Sequence, residues 1–235
     1  MRRHHATTSD ARDRTVAARM LQGVNRLFTR VYHHVDVRSP CRLPRHGRAI
    51  IICNHISGLD PQLIQSCCPR LITWMMAAEY YNIPVVRWVL DKVSVIPVTR
   101  SGRDMAAMRL AIRALESGQV LGVFPEGRIE ETGELLPFQT GVALLAIKTN
   151  TRVWSAYLDG TQRGRPMLEA FVRPQSATLT FGPEIMFDRA SSDRESLENA
   201  ADAMQRAVQR LRDQQGADGP IPRESADLAE SQKIV

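Results

Sequence analysis

Long apolar runs, aromatic residues and cysteine motifs are scarce in this sequence of 235 residues. No uninterrupted stretch approaches the roughly 20 apolar residues that a membrane-spanning helix needs, so we expect no such helix. Aromatic residues make up 6% of the chain, and no basic and aromatic stripe suggests a base-stacking surface, which argues against a nucleic-acid partner. The four cysteines match no zinc-binding spacing, and no secretory apolar core follows the basic N-terminus. We therefore interpret the cysteines as reduced thiols in a cytoplasmic protein. They are Cys41, Cys53, Cys67 and Cys68.

A Gly-x-Ser-x-Gly nucleophile elbow and internal repeats are also absent. The missing elbow argues against a lipase, because such an enzyme needs that serine as its own nucleophile. The length is sufficient for one sizeable core. We predict one domain over residues 36–214, preceded by a basic helical arm at residues 1–35. The tail at residues 215–235 holds glycine, proline and charged residues, which predicts disorder.

Positive charge is concentrated near the N-terminus. Residues 1–48 contain 11 Lys and Arg against 3 Asp and Glu, whereas residues 49–235 contain 20 against 22. Residues 14–35 show the period of an amphipathic helix. Its apolar positions are Val16, Met20, Val24, Leu27, Phe28, Val31 and Val35, and its basic positions are Arg14, Arg19, Arg26, Arg30 and His33. Two interpretations stay open: a helix lying on an anionic membrane at the inner face, or a helix packed on the body with a solvated basic face.

Strand and helix patterns alternate from Ala49 onward. Predicted strands cover residues 49–53, 71–76, 93–98, 120–124, 153–158 and 177–181. Predicted helices cover residues 61–68, 104–117, 141–149 and 192–214. This alternation is typical of an α/β protein, and we predict a mixed, mostly parallel sheet flanked by helices.

Polar residues stand where three of the predicted strands end. His55 and Asp60 follow the first strand, Arg100 follows residues 93–98, and the run Glu126-Gly127-Arg128 follows the strand that ends at Phe124. The carboxyl ends of parallel strands meet at one edge of a sheet, so these side chains can converge.

The converging set suits an acyl transfer to a phosphorylated alcohol. A neutral imidazole can take a proton from an attacking hydroxyl, and an aspartate on its other nitrogen orients it and stabilises the imidazolium. Arginines bind phosphate as planar, always-charged donors. Each residue also has a structural explanation. Asp60-Pro61 is an ordinary helix start with Asp60 as N-cap, His55 can be a core histidine, Arg100 a solvated loop charge, and Glu126 part of a turn.

Two blocks, Asn54-His55-x-x-x-x-Asp60 and Phe124-Pro125-Glu126-Gly127, resemble those of the lysophospholipid acyltransferases, specifically the 1-acylglycerol-3-phosphate acyltransferase group. That family has an NHxxxxD block, a middle block ending in Arg, an FPEG block and a later apolar strand. All four have counterparts here in the same order, within residues 36–185. The resemblance implies a fold like that of glycerol-3-phosphate acyltransferase.

The resemblance also implies roles for the residues. His55 would be the general base on the acceptor hydroxyl, and Asp60 would orient and charge-balance it. Arg100 would bind the acceptor phosphate, Glu126 and Gly127 would position the glycerol phosphate, and Arg128 would take a phosphate-facing role. The donor would be acyl-CoA or an acyl-carrier protein thioester, and no metal or redox cofactor is expected. The acceptor would be lysophosphatidic acid, which becomes phosphatidic acid in phospholipid synthesis.

The sequence departs from the family pattern near the acceptor. Arg128 follows the FPEG block at once, where the family usually has Thr-Arg, and Gln139 stands where the family has Lys. Other acceptors therefore stay open: another lysolipid, dihydroxyacetone phosphate or an amino-acid-derived lipid. A histidine-dependent lipid or thioester hydrolase, with His55 activating water, is the alternative from another class.

Overall fold

Strands and helices alternate along the chain in the computed structural model, which describes residues 8–82, 87, 95–99, 104–165, 167–187 and 193–217. The strands are β1 His34–Ser39, β2 Ala49–Cys53, β3 Ile72–Ala77, β4 Val95–Val98, β5 Val120–Val123, β6 Val153–Asp159 and β7 Ser176–Ile185. The α-helices are α1 Thr8–Val31, α2 Asp60–Cys67, α3 Met105–Glu116, α4 Thr140–Thr149, α5 Met167–Phe171 and α6 Arg194–Ala217. A short 3₁₀ helix at Ala78–Asn82 follows β3.

The described strands form one sheet in the order β1-β7-β6-β2-β5-β3-β4. β6 and β7 pair antiparallel, and the other neighbouring strands pair parallel. The mixed, mostly parallel sheet predicted from the sequence is thereby confirmed. β2 lies near the centre and is buried along its whole length, as its unbroken apolar sequence requires of a parallel strand covered on both faces.

Side chains from alternate positions of each strand point to opposite faces of the sheet. Ile50 and Ile52 of β2 belong to the core that α3, α4 and α6 cover. Ile51 and Cys53 belong to the opposite core, to which α2 and α5 contribute. Because helices cover both faces, polar chemistry is left to the edge at which the strands end.

The N-terminal helix ends earlier than the sequence predicted. α1 stops at Val31, and Val35, which we placed on its apolar face, lies in β1. β1 pairs parallel with β7, so its hydrogen-bond partners come from a segment far along the chain. His33 was predicted on the basic face of the helix, and this is wrong because its side chain is buried, with Phe28 and Tyr32 packed edge-on against its ring.

Several other boundaries differ from the predictions or lie outside the described residues. α5 was not predicted, and β7 is longer than the predicted strand at residues 177–181. α6 extends to Ala217, so residues 215–217, which we expected in the disordered tail, are helical. Residues 218–235 and Arg100 lie outside the described residues. No helix in the described part of the chain combines the length and the hydropathy needed to cross a membrane.

Candidate active site

His55 lies just beyond the carboxyl end of β2, and the residue before it sets its direction. The Asn54 side chain accepts a hydrogen bond from the Leu158 N–H and donates one to the Leu158 carbonyl, each at 2.8 Å. The side chain thus continues the pairing of β2 with β6 for one more step. These two hydrogen bonds therefore fix the position of the backbone from which His55 follows.

Asp60 holds the His55 ring. Its Oδ2 lies 3.0 Å from His55 Nδ1 and accepts the backbone N–H groups of Ile56 at 2.7 Å and Ser57 at 2.8 Å. Its Oδ1 accepts the Thr161 hydroxyl at 3.4 Å. The carboxylate is fully buried, and these donors satisfy it in its charged form. A carboxylate can only accept, so Nδ1 carries the proton and Nε2 is the basic nitrogen of the neutral ring.

Asp60 does not act as the N-cap that one interpretation of Asp60-Pro61 predicted. Leu59 occupies that position without a side-chain hydrogen bond, and Asp60 is the first residue of α2. The carboxylate turns back to the loop at residues 55–57 instead. The N-cap interpretation is therefore wrong, and the helix start places a buried carboxylate beside Nδ1 of the imidazole.

Aromatic rings fix the plane of the imidazole. The His55 ring stacks on Phe124 with centroids 4.0 Å apart and an angle of 15° between the planes. Phe124 in turn stacks on Trp74 at 5.1 Å. The His55 side chain is 17% exposed, so this mostly apolar packing leaves only part of the ring open. The histidine is neither a core residue nor a surface one.

The His55 ring borders a cavity of about 240 Å³. Among the described residues, apolar side chains from β3, β4, β5, α3 and α4 form much of its wall. They include Trp74, Met75, Met76, Val98, Met108, Val123, Val142 and Leu145. Gly127, Arg128 and Gln139 also line it and supply polar groups. The site thus combines a basic nitrogen, a guanidinium and an apolar space.

The Glu126 carboxylate binds the backbone of the histidine loop. Oε1 accepts the His55 N–H at 3.0 Å, and Oε2 accepts the Leu136 N–H at 3.2 Å. The side chain is buried, and this burial raises the pKa of Glu126 to about 7. The carboxylate therefore fixes the two loops that carry His55 and Leu136 relative to each other.

Gly127 and Arg128 form the turn that follows β5. Gly127 has a φ of +72°, and a Cβ there would collide with the Gln139 side-chain amide. The positive φ favours glycine at this position, whereas the end of the flexible Gln139 side chain could move aside for a Cβ. Arg128 is exposed and extends beside the cavity. The structure brings His55, Asp60, Glu126, Gly127 and Arg128 to one edge of the sheet, while Arg100 lies outside the described residues.

Two loops that the sequence analysis passed over brace the histidine loop. The Glu130 N–H donates to the His55 carbonyl at 2.6 Å, and the Gly164 N–H donates to the Ile56 carbonyl at 2.9 Å. Glu130 is itself buried and paired with Arg163. The available signal was the run after β6, where Thr161 and Gly164 follow a strand that ends at the same edge. No cluster of three or more His, Cys, Asp or Glu side chains in the described ranges is placed to hold a metal ion.

Comparisons with known proteins identify the family of the chain. A family model described as Acyltransferase matches residues 34–159. The chain belongs to the acyltransferase family. The matched range begins at β1 and ends with β6, so it contains the His55–Asp60 pair and the turn at Glu126.

Individual acyltransferases are similar to this chain in sequence. A 1-acyl-sn-glycerol-3-phosphate acyltransferase of Borreliella burgdorferi is 33% identical over 123 residues, 51% of this chain and 48% of the relative. One of Bacillus subtilis is 24% identical over 136 residues, 57% of this chain and 67% of the relative. The chain spans about half the length of the Borreliella protein.

A solved structure shares the fold. The crystal structure of the 1-acyl-sn-glycerophosphate (LPA) acyltransferase PlsC from Thermotoga maritima matches with a TM-score of 0.66 at 23% identity. The match covers 87% of this chain and 84% of that chain. The shared fold thus extends well beyond residues 34–159.

Proposed function

We propose that this acyltransferase moves a fatty acyl group from a thioester donor to the free hydroxyl of lysophosphatidic acid. The observation that carries the proposal is the His55 ring, which has its Nδ1 on a buried Asp60 and borders an apolar cavity. The names of the relatives and the order of the sequence blocks support the same acceptor. Acyl-CoA or an acyl-carrier protein supplies the thioester.

The proton route follows from the tautomer that Asp60 selects. His55 Nε2 takes the proton of the acceptor hydroxyl as its oxygen attacks the thioester carbonyl. Asp60 stabilises the imidazolium that forms, because its negative charge lies 3.0 Å from Nδ1. The tetrahedral intermediate then expels the thiolate, which takes the proton from His55. The products are the acylated acceptor and a free thiol, and His55 is neutral again.

The apolar part of the cavity suits the acyl chain. Removing hydrocarbon from water is favourable by about 0.8 kcal/mol for each buried CH₂ group. The stacked pair Trp74 and Phe124 continues this apolar surface up to the His55 ring. We propose that the chain lies here, so that its carbonyl comes within reach of an acceptor oxygen held at Nε2.

The acceptor phosphate is proposed to lie on the polar side of the cavity. Arg128 borders it and carries a positive charge, whereas Gln139 offers a neutral amide where the family has Lys. Arg100 is proposed as a second phosphate ligand from the sequence alone. Glu126 is proposed to position His55, because its carboxylate oxygens are engaged by backbone N–H groups.

An acceptor panel tests the proposed function. We expect thiol release from an acyl thioester to require lysophosphatidic acid and to be much weaker with acceptors that lack a phosphate monoester. Free-thiol detection and analysis of the lipid product measure the two sides of the reaction. A preference for dihydroxyacetone phosphate or an amino-acid-derived lipid would change the acceptor and keep the transfer. Equal thiol release without any acceptor, with free fatty acid as the product, would identify a hydrolase and contradict the proposal.

The N-terminal helix is proposed to lie on an anionic membrane surface, as one interpretation of the sequence predicted. Its apolar stripe is exposed: Val16, Met20, Val24, Leu27 and Val31 are between 55% and 69% exposed. α1 docks on the body through its other side, where Asn25 donates to the Gln62 carbonyl and Arg26 to the Cys68 carbonyl. At 100° per residue, Arg19 and Arg30 flank the stripe along one side. Exposed apolar residues beside arginines suit anionic lipid.

Substitutions on the stripe test this membrane contact. The double variant Met20→Gln/Leu27→Gln is expected to lose at least roughly tenfold in affinity for vesicles containing anionic lipid, because each side chain loses about 1.5–3 kcal/mol of burial. Vesicle co-sedimentation at low and high salt measures it. Point variants are better than deleting residues 1–35, because that deletion also removes the bonds of α1 to α2 and part of β1.

The matched control for the stripe lies elsewhere on the surface. Val172 and Met186 are 70% and 60% exposed and lie outside α1. The variant Val172→Gln/Met186→Gln removes two exposed apolar side chains as well and is expected to bind vesicles like the wild type. Equal binding by both double variants would show that α1 is not the membrane contact.

A further inference from the structure

Two cysteine thiols meet where the segment between β1 and β2 reaches the end of α2. The Cys68 thiol donates a hydrogen bond to Cys41 Sγ, and the two sulfur atoms are 3.5 Å apart. Cys68 is buried, whereas Cys41 is partly exposed. The neighbouring Cys67 instead pairs with the Ser66 hydroxyl at 3.6 Å. The structure therefore selects one pair from three nearby cysteines.

The two thiols differ in reactivity. The hydrogen bond from Cys68 lowers the pKa of the Cys41 thiol, whereas that bond and burial raise the pKa of Cys68 well above its ordinary value. Burial likewise raises the pKa of Cys67. The thiolate is the nucleophile in thiol–disulfide exchange, and exchange also requires access. Cys41 combines both properties, and Cys68 lies ready behind it as a resolving thiol.

We propose that Cys41 and Cys68 form a reversible disulfide when the protein meets a low-molecular-weight disulfide such as oxidised glutathione. The Cys41 thiolate attacks one sulfur of the oxidant, which forms a mixed disulfide and releases one glutathione thiolate. Cys68 loses its proton and attacks Cys41 Sγ, which releases the second glutathione thiolate. The protein gives up two electrons and two protons, and the oxidant becomes two thiols. The sulfur atoms must approach by about 1.5 Å from their present hydrogen-bonded distance.

The bond would close a loop that contains the whole candidate catalytic pair. Residues 41–68 include β2, His55, Asp60 and α2. The Cys68 carbonyl also accepts the bonds from Gln22 and Arg26 of α1, so the crosslink lies where three segments meet. A crosslink lowers the conformational entropy of the unfolded chain and thereby stabilises the native state. We expect the oxidised protein to melt roughly 5–10 °C higher than the reduced protein.

Thiol counting on the full-length protein tests the proposal without any activity assay. After incubation with oxidised glutathione and unfolding in denaturant, the wild type is expected to show two of its four thiols. Peptide mapping should find Cys41 joined to Cys68, and dithiothreitol should restore all thiols and the lower melting temperature. Cys67→Ser is the matched control and is expected to form the same bond. Cys41→Ser is expected to form no crosslink.

Three outcomes would overturn the proposal. They are retention of all four thiols by the folded wild type, glutathione that stays on Cys41 without transfer to Cys68, and a crosslink that uses Cys67. Because Cys41 is partly exposed, its serine variant keeps the core intact and provides a folded reference even if Cys68→Ser does not fold. The readouts are independent of the proposed acyl transfer.

Discussion

His55→Ala is expected to reduce acyl transfer to lysophosphatidic acid by at least roughly 10²–10⁴-fold, because it removes the group that takes the hydroxyl proton. The fold should survive, since the side chain makes one hydrogen bond within the described residues, to Asp60, and stacks on Phe124 at the edge of the sheet. Thiol release from the thioester donor, followed at saturating acceptor, measures the loss. Circular dichroism and thermal unfolding report on the fold.

Two variants complete the His55 experiment. His46 is exposed in the segment between β1 and β2, and His46→Ala is expected to keep wild-type activity. Asp60→Asn would place an amide group among donors, so it should lose activity and stability together because the Ile56 and Ser57 N–H groups lose a charged acceptor. Wild-type thiol release by folded His55→Ala would refute the mechanism.

Glu126→Gln is expected to lower kcat on the order of 10²-fold while leaving the KM for lysophosphatidic acid near its wild-type value. An amide has one oxygen, so it cannot accept from both the His55 and the Leu136 N–H groups. The freed histidine loop can shift, and a displacement of about 1 Å at a reacting group can cost about 10²-fold in rate. Steady-state kinetics with varied acceptor separate the two parameters.

The same substitution has a pH-dependent effect on stability. The native pKa of Glu126 is about 7 against an ordinary value of 4.5, so folding favours the protonated form. Well below pH 4.5 the carboxyl is neutral in both the folded and the unfolded state, and its contribution to the free energy of unfolding is fully present. As the pH rises from 4.5 to about 7, the unfolded state ionises first and this contribution is progressively lost. The loss reaches about 3 kcal/mol in the wild type and is absent in Glu126→Gln. The substitution is therefore expected to destabilise the protein less at pH 8 than at pH 5.

Urea unfolding of both proteins at pH 5 and pH 8 measures this difference. Glu116→Gln, an exposed substitution at the end of α3, is the matched control and should show no such dependence. A raised KM for the acceptor with unchanged kcat would argue instead for the direct acceptor contact that the sequence resemblance implied. Equal destabilisation at both pH values would contradict the raised pKa.

The position of β1 shows why part of the fold could not be read from the sequence. Residues 34–38 alternate polar and apolar side chains, but Val35 also continues the helical spacing of the preceding segment. Pairing with β7 decides the matter, and β7 begins at residue 176. A local sequence pattern carries no information about pairing with a strand about 140 residues away. The sequence therefore did not predict β1, and the predicted helix was too long.

The candidate site divides in a similar way. The unbroken apolar run before His55 and the spacing to Asp60 predicted a histidine and a carboxylate at the end of a parallel strand, and both lie there. Glu126 was predicted beside them, but its direction was not, because burial and two N–H partners from distant residues determine where a carboxylate turns. The direction of the Asp60 side chain was not predicted either, because the N–H groups that it accepts from belong to Ile56 and Ser57, before the helix.

The α/β class, the acyltransferase resemblance and the polar residues at the strand ends could be derived from the sequence, because strand period and residue type are local properties. Three findings required the folded chain: the apolar stripe of α1 faces outward, Glu126 binds the backbone of His55, and Cys41 meets Cys68 and not Cys67. Each of these depends on which distant segments pack together, and packing is a property of the whole chain.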